Sequence, residues 1–325
     1  MTLRPPLAGQ GILVTGGAGF IGSHLVDRLL SEGAREVVVI DNLFIGAEEN
    51  LSAALATGRA VFYSDDAELA TSLEYIFEKH SIDVVFNCAT KALNYSFVNP
   101  ANAFSTNVTV VLNLLELQRR GAFKTLCHFS TSEVYGSAIY EPMDEAHPMN
   151  PTTTYAAGKA AADLAVQSYV RMFDLDAFIV RPFNNYGPRQ NYKGMLAGII
   201  PITAWRILND VQPELHGDGA QSRDFIYVLD TVDAVVKVYP KMPAGDSVNI
   251  STDNQLSIAE LLPRICKEFA YTGEIARKPG RKSDVLCHIA SNEKLRSMID
   301  YKLTPFDDGL RDTLAWYRAN IQARK

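Results

Sequence analysis

Several absences narrow this sequence before any motif does. No stretch approaches the roughly 18 consecutive apolar residues that a membrane-spanning helix needs. The opening MTLRPPLAGQ has no apolar core of signal-peptide length, so a cytoplasmic protein without a membrane partner is expected. Its 4 cysteines (Cys88, Cys127, Cys266 and Cys287) are widely spaced, with no CxxC and no Cys/His ligand pattern. Reduced structural thiols are therefore expected, not disulfides or a metal site. Positive charge is in deficit, 31 Lys and Arg against 37 Asp and Glu for a net −6, which argues against nucleic acid as the main partner. Any phosphate must then bind in a local basic pocket. Internal repeats, low-complexity runs and linkers are missing as well.

At 325 residues, 47% hydrophobic and 21% charged, the chain can bury a full core and divide into one large and one small unit. Gly11 to Gly22 read G-I-L-V-T-G-G-A-G-F-I-G, and a helical pattern with Leu25, Val26, Leu29 and Leu30 follows over Ser23 to Ser31. Strand, glycine turn and helix come in the order of a dinucleotide-binding βαβ unit. Gly16 permits the tight turn, Gly19 lets backbone approach a pyrophosphate, and Gly22 lets the helix pack on the strand. Phe20 and Ile21 lie at the helix N-terminus, whose free N–H groups face the anion. A second strand, Glu36 to Ile40, ends at Asp41 and Asn42, where a carboxylate accepts from ribose hydroxyls and repels a 2′-phosphate. NAD is thus expected over NADP. Asp65 or its neighbour Asp66, after the strand Ala60 to Tyr63, is a candidate for the adenine amine. A fourth strand, Ser81 to Cys88, leads to Ala89, small where backbone passes over the cofactor, and to Lys91. Two readings of Lys91 stand, a contact to cofactor or substrate phosphate and a solvated side chain.

The helix predicted over Asn102 to Arg120 carries Val108, Val111, Leu112, Leu115 and Leu117 on its apolar positions, and a buried Asn107 is expected to brace the strand leading to Thr131. That strand, Thr125 to Phe129, releases Thr131, Ser132 and Glu133 at the edge where open α/β sheets bind ligands. Tyr155 and Lys159 stand four apart in a helical pattern reaching about Phe173, so phenol and ammonium share one face. A lysine cation beside the phenol is expected to lower its pKa and make Tyr155 an acid/base near neutral pH. After the strand Ala177 to Arg181 the alternation loosens under Pro and Gly punctuation. Arg223 precedes a strand-like F-I-Y-V-L, and Arg281 lies in P-G-R-K-S-D-V. Arginine suits bidentate phosphate contacts.

Together GGAGFIG with Asp41, STSEVYG, YAAGK, RPFNNYGP, SRDFIYVLD and PGRKSDV resemble, in order and over nearly the whole chain, the extended short-chain dehydrogenase/reductase family, specifically its nucleotide-sugar epimerases and dehydratases. The resemblance implies an α/β fold: a Rossmann doubly wound parallel sheet over 1–182, rejoined by segments near 220–250, and a smaller C-terminal α/β lobe over 183–325 that binds an NDP-sugar. It implies NAD as cofactor, a homodimer through the helices containing Asn102 to Arg120 and Tyr155 to Phe173, and a hydrogen-transfer group of Thr131, Tyr155 and Lys159. Asn184 would hold the sugar-phosphate end, and Arg223 and Arg281 the pyrophosphate and its ribose. Glu133 stands where 4,6-dehydratases carry the base that removes the C5 proton. Ser132 replaces the aspartate acid of the dTDP-glucose enzymes, while Thr-Ser-Glu is similar to the triplet of GDP-mannose 4,6-dehydratases. UDP-glucuronate decarboxylases also carry Thr-Ser-Glu, with a late arginine that has no counterpart at Leu286, Cys287 or His288. The order of expectation is 4,6-dehydratase, then 4-epimerase, then decarboxylase, with a non-catalytic NAD-binding regulator as the reading from another class.

Overall fold

Runs such as EVVVID alternate with amphipathic stretches, and strands made of β-branched residues buried on both faces belong in a parallel sheet covered by helices. The computed structural model describes residues 4–279 and 289–321. Its strands begin with β1 (Gly11–Thr15), β2 (Glu36–Asp41), β3 (Ala60–Ser64), β4 (Val84–Asn87), β5 (Thr125–Phe129) and β6 (Asp176–Pro182). Four short strands follow, β7 (Asn184–Tyr186), β8 (Glu214–His216), β9 (Ser222–Arg223) and β10 (Phe225–Tyr227), before β11 (Ser247–Ile250). A 7-stranded sheet runs β3-β2-β1-β4-β5-β6-β11, with every neighbouring pair parallel. The first six strands have the order of a dinucleotide-binding doubly wound sheet.

The helices are α1 (Phe20–Ser31), α2 (Ser52–Ala56), α3 (Ala70–Lys79), α4 (Pro100–Arg119), α5 (Thr154–Phe173), α6 (Ile199–Leu208), α7 (Val228–Val238) and α8 (Ile258–Glu268), followed by Glu293–Met298 and Phe306–Asn320. Alternation along β2 sends Val37 and Val39 into one core with α1 and α7, and Val38 and Ile40 into another with α4 and α5. A third core, including Tyr186, Ile200, Leu261 and Leu314, joins α6 and α8 to the C-terminal helix. Each of the two long helices has a side-chain N-cap: Asn99 accepts from Asn102 N–H at 3.1 Å and Thr153 from Ala156 N–H at 3.2 Å.

Several boundaries differ from the sequence reading, three of them instructively. Helix α1 starts at Phe20, not Ser23, because the chain turns helical directly after the glycine at its N-cap. The fourth strand is Val84–Asn87; ahead of it Asp83 is taken up by Gly11 N–H and by the cations of Arg35 and Lys124. In F-I-Y-V-L the strand stops at Tyr227, and Val228 opens α7. Among the described residues no helix is long and apolar enough to cross a membrane. Cys88, Cys127 and Cys266 are free thiols; Cys287 lies outside the described residues.

Candidate active site

The carboxyl ends of β1, β2, β4 and β5 open into a cavity of about 380 Å³ lined by Gly16, Gly19, Phe20, Ile21, Gly22, Asp41, Asn42, Ala89, Lys91, Thr131, Tyr155 and Lys159 among others. Gly16 has φ +67°, and a Cβ there would lie 2.7 Å from Ala89 N; a Cβ on Gly22 would lie 2.3 Å from Gly16 O. Neither position accepts a side chain, so the turn keeps its backbone bare at the mouth of α1, a cradle suited to a pyrophosphate. The Asp41 carboxylate is fixed by Ala18 N–H (3.0 Å) and Leu43 N–H (2.8 Å), which hold it at the cavity wall. Burial raises its pKa, against those backbone donors. These residues fit a dinucleotide with free ribose hydroxyls.

Two expectations on this side are corrected. Asp65 is exposed and accepts from Asp66 N–H (2.7 Å), whereas Asp66 lines the cavity and accepts from Asn42 Nδ2 at 2.8 Å. Asp65, engaged in this local turn bond, is not part of the cavity lining. Lys91 is not solvated but 8% exposed, with its ammonium 4.0 Å from the centre of the Phe44 ring and 5.9 Å from that of Tyr95. Cation–π attraction on two rings offsets part of its lost hydration. It lines the first cavity and not the second, which separates it from the substrate-side group.

At the end of β5, Thr131 caps the short turn Ser132–Tyr135 by accepting from Glu133 N–H at 3.2 Å. The hydroxyls of Thr131 and of Thr90, a residue the motifs did not single out, lie close enough to the Tyr155 phenol to act on its titration. Lys159, 2% exposed, donates to Phe129 O at 2.7 Å. Burial pushes Tyr155 up to about 12; the Thr131 hydrogen bond opposes it, the Glu133 charge adds to it and the Thr90 hydrogen bond opposes it. Burial likewise lowers Lys159 to about 8, against the charge of Asp163. The expected lowering of the phenol by Lys159 is therefore not found, because loss of water dominates at both groups and the ammonium is engaged with β5. Asn107 does not brace the Thr131 strand either. Its Oδ1 accepts from Thr90 Oγ1 (2.8 Å) and Lys91 N–H (3.3 Å), and its Nδ2 donates to Tyr155 O at 3.4 Å. It ties the loop after β4 to the start of α5.

A second cavity, of about 490 Å³, shares Asn185, Gln190 and Gly198 with the first. Glu133, Thr153, Asn184, Arg206, Glu214, His216 and Arg223 line it, along with apolar residues of α6. The Asn184 Nδ2 is buried and makes no hydrogen bond among the described residues, leaving a donor to offer to a ligand. Glu214 is taken by Arg206 at 2.9 Å, with His216 at 3.4 Å. Ser132 is 2% exposed and lines neither cavity. The tight turn that presents Glu133 turns its neighbour inward, so Ser132 is not in place to act on a ligand. Arg281 lies outside the described residues. Position at the carboxyl edge, directly after β4, was the one sequence signal that pointed to Thr90.

Residues 12–251 match the NAD dependent epimerase/dehydratase family. The chain belongs to that family. The dTDP-glucose 4,6-dehydratase of Streptomyces venezuelae, solved with NAD bound, superposes with a TM-score of 0.90 at 31% identity, over 95% of this chain and 97% of that one. The UDP-glucose 4-epimerase of Thermotoga maritima, solved with UDP-glucose, superposes with a TM-score of 0.89 at 31% identity, over 96% and 100%. The UDP-glucose 4-epimerase of Mycolicibacterium smegmatis is 32% identical over 313 residues, covering 95% of this chain and 99% of its own. Both reactions are thus represented at equal likeness. As a family member the chain is an NAD-dependent enzyme of the nucleotide-sugar epimerase/dehydratase type, with the doubly wound fold of its solved relatives.

Proposed function

We propose that this epimerase/dehydratase family member is an NDP-sugar 4,6-dehydratase. The supporting observation is that one turn presents two chemistries: Thr131 to the first cavity beside Tyr155, and Glu133 to the second. Gly16, Gly19, Phe20, Ile21, Gly22, Asp41, Asn42, Asp66, Ala89 and Lys159 would hold NAD. Bound NAD⁺ supplies the acceptor for the hydrogen lost from carbon 4 of the sugar and the donor for the last reduction. Tyr155, as the phenolate that the positive charge of bound cofactor would favour, takes the proton from O4, with Thr131 sharing that hydrogen bond, and Lys159 would hold the cofactor ribose. The resulting 4-ketone acidifies the C5 proton, which Glu133 removes; the C6 hydroxyl then leaves as water, taking the proton back from Glu133, and as C6 is reduced Tyr155 returns to C5 the proton it took from O4. With Ser132 turned inward, Glu133 is the acid at hand as well as the base. Asn184 and Arg223 hold the diphosphate.

The test is turnover of UDP-, dTDP-, GDP- and CDP-hexoses with NAD, followed by mass spectrometry. Loss of water is expected, and Glu133→Gln should abolish it while C4 oxidation persists. A product isomeric with the substrate would make the chain a 4-epimerase instead, the reading that the equally similar UDP-glucose 4-epimerases favour. Loss of carbon dioxide from a hexuronate would make it a decarboxylase. A homodimer through α4 and α5 belongs to the same proposal. It is supported by Phe104 and Leu112 on α4 and Leu164 and Met172 on α5, all exposed large apolar residues. Light scattering after size exclusion should give twice the chain mass.

A further inference from the structure

Beneath the site lies a polar chain that the mechanism above does not use. Asp163, on α5 one helical turn beyond Lys159, is fully buried, and its Oδ2 accepts from Arg181 Nε at 3.0 Å. Arg181, on β6 and 2% exposed, donates from Nη1 to the Tyr135 hydroxyl at 2.8 Å and lies 5.1 Å from the centre of that ring. Tyr135, also fully buried, closes the turn that carries Glu133 and donates to Asn249 Oδ1 of β11 at 2.7 Å. Asn249 in turn donates from Nδ2 to Met143 O at 3.2 Å. His128, whose Nε2 is 3.6 Å from Asp163 Oδ1, is held well below its usual pKa by burial and by the charges of Lys159 and Arg181. Arg181 and Lys159 are therefore the cations that balance Asp163.

A buried ion pair is a poor device for stability, since apolar residues of the same shape often do as well or better. Its strength is geometric, because a planar guanidinium fixed at one carboxylate fixes what its other nitrogens touch. We propose that Asp163, Arg181 and Tyr135 are positioning residues that lock the turn bearing Thr131 and Glu133 in register with the helix bearing Tyr155 and Lys159. The two halves of the site come from separate chain segments, tied by backbone where Asn150 N–H, in the loop that leads to α5, donates to Val134 O at 3.0 Å. Through this relay the turn that bears Glu133 is tied, by way of Arg181 on β6, to α5 at Asp163, one helical turn beyond Lys159. The inference rests on the proposed role of Glu133 for its kinetic part, but its structural part stands apart from any reaction.

Tyr135→Phe removes the bridging hydroxyl and keeps the ring. In the full-length protein with NAD, hydrogen–deuterium exchange should rise in the peptide spanning 131–136 while the thermal midpoint stays within a few degrees and NAD affinity is unchanged. With the NDP-sugar found above, kcat should fall about 10- to 100-fold with KM within about twofold, the scale set by a small misplacement of a reacting group. Loss of deuterium from C5-labelled substrate, the step assigned to Glu133, should slow at least as much. Asn249→Ala, which strips the hydroxyl's acceptor but leaves Tyr135 in place, is the second variant should the first not fold. Unchanged exchange at 131–136 in a folded variant would overturn the relay, as would a KM rise with kcat intact. If exchange rises but no NDP-sugar is turned over by the parent, the proposed reaction fails and the relay remains.

Discussion

Gly158, between Tyr155 and Lys159, gives a sharp test of how the site is held. In a helix interior Gly is about 1 kcal/mol worse than Ala, so on propensity alone Gly158→Ala should stabilise α5. The packing says otherwise. A Cβ at this position would stand 2.7 Å from Phe104 O, 3.1 Å from Phe104 Cα and 3.2 Å from Asn107 Cβ, all on α4. The first contact is 0.7 Å short of the 3.4 Å at which ordinary van der Waals contact begins, and its partner is backbone. Relief requires the two longest helices to part, and overpacking of this kind costs roughly 1–3 kcal/mol. The net effect should be a loss of about 0–2 kcal/mol in urea unfolding. Activity should suffer more, because Asn107 sits at the same contact and ties Thr90 to the Tyr155 carbonyl. Shifting it moves the phenol relative to both hydroxyls it meets, and a displacement approaching 1 Å costs on the order of 10² in rate. Urea melts and steady-state kcat on the best NDP-sugar measure both. A Gly158→Ala protein that is about 1 kcal/mol more stable and fully active would refute the packing argument.

Lys159 gives a pH test. Its pKa falls from 10.5 to about 8 in the folded protein, so between those values the unfolded chain binds more protons and stability should rise with pH. The difference of 2.5 units corresponds to about 3 kcal/mol. The parent should gain up to that amount from pH 8 to 10.5, and Lys159→Met, which lacks the titrating group, should not; equal slopes in denaturant titrations would show the charge is not held at a cost. Asp41 predicts the cofactor: NAD⁺ should raise the melting temperature while NADP⁺ at equal concentration does so far less, and equal shifts would contradict the fixed carboxylate at the cavity wall. Tyr155→Phe should leave NAD binding within twofold but reduce C4 oxidation by at least about 10², as removal of a general acid/base does; a rate near that of the parent would remove the phenol from the mechanism.

The doubly wound sheet was legible because its signals are local. Glycines at 16, 19 and 22 and the carboxylate at 41 each report a constraint within one βαβ unit, and the structure brings Gly16 and Asp41 to one cavity. Lys91 and Asn107 were harder, since each meets one partner from a segment far along the chain. Phe44 and Tyr95 cover Lys91, and Tyr155 receives Asn107. The choice between Asp65 and Asp66 turned on a single backbone hydrogen bond that composition does not encode. Ser132 looked equal to its neighbours because a three-residue motif carries no direction; a tight turn separates adjacent side chains, and Glu133 alone meets the second cavity. Leu112, placed on the apolar positions of α4, is instead 37% exposed, on a surface that an isolated chain gives no reason to leave bare.

The spacing of Tyr155 and Lys159 invites an argument from opposite charges, and the structure replaces it with one from solvation. Four residues along a helix separate the two Cα atoms by about 6 Å of rise, enough for the side chains to serve different walls of one cavity. The ammonium goes to the carbonyl that ends β5, and the phenol to the hydroxyls of Thr90 and Thr131. Each has lost water, so each is pushed toward its neutral form: the phenol up, the ammonium down. The pair is therefore poised to gain by acquiring charge from outside, a cation near the phenol or hydroxyl acceptors near the ammonium. A ligand that brings both to this cavity would tighten it and activate it in one act. Thr131, beside the phenol on one side and accepting from the Glu133 amide on the other, links the phenol to the turn that faces the second cavity.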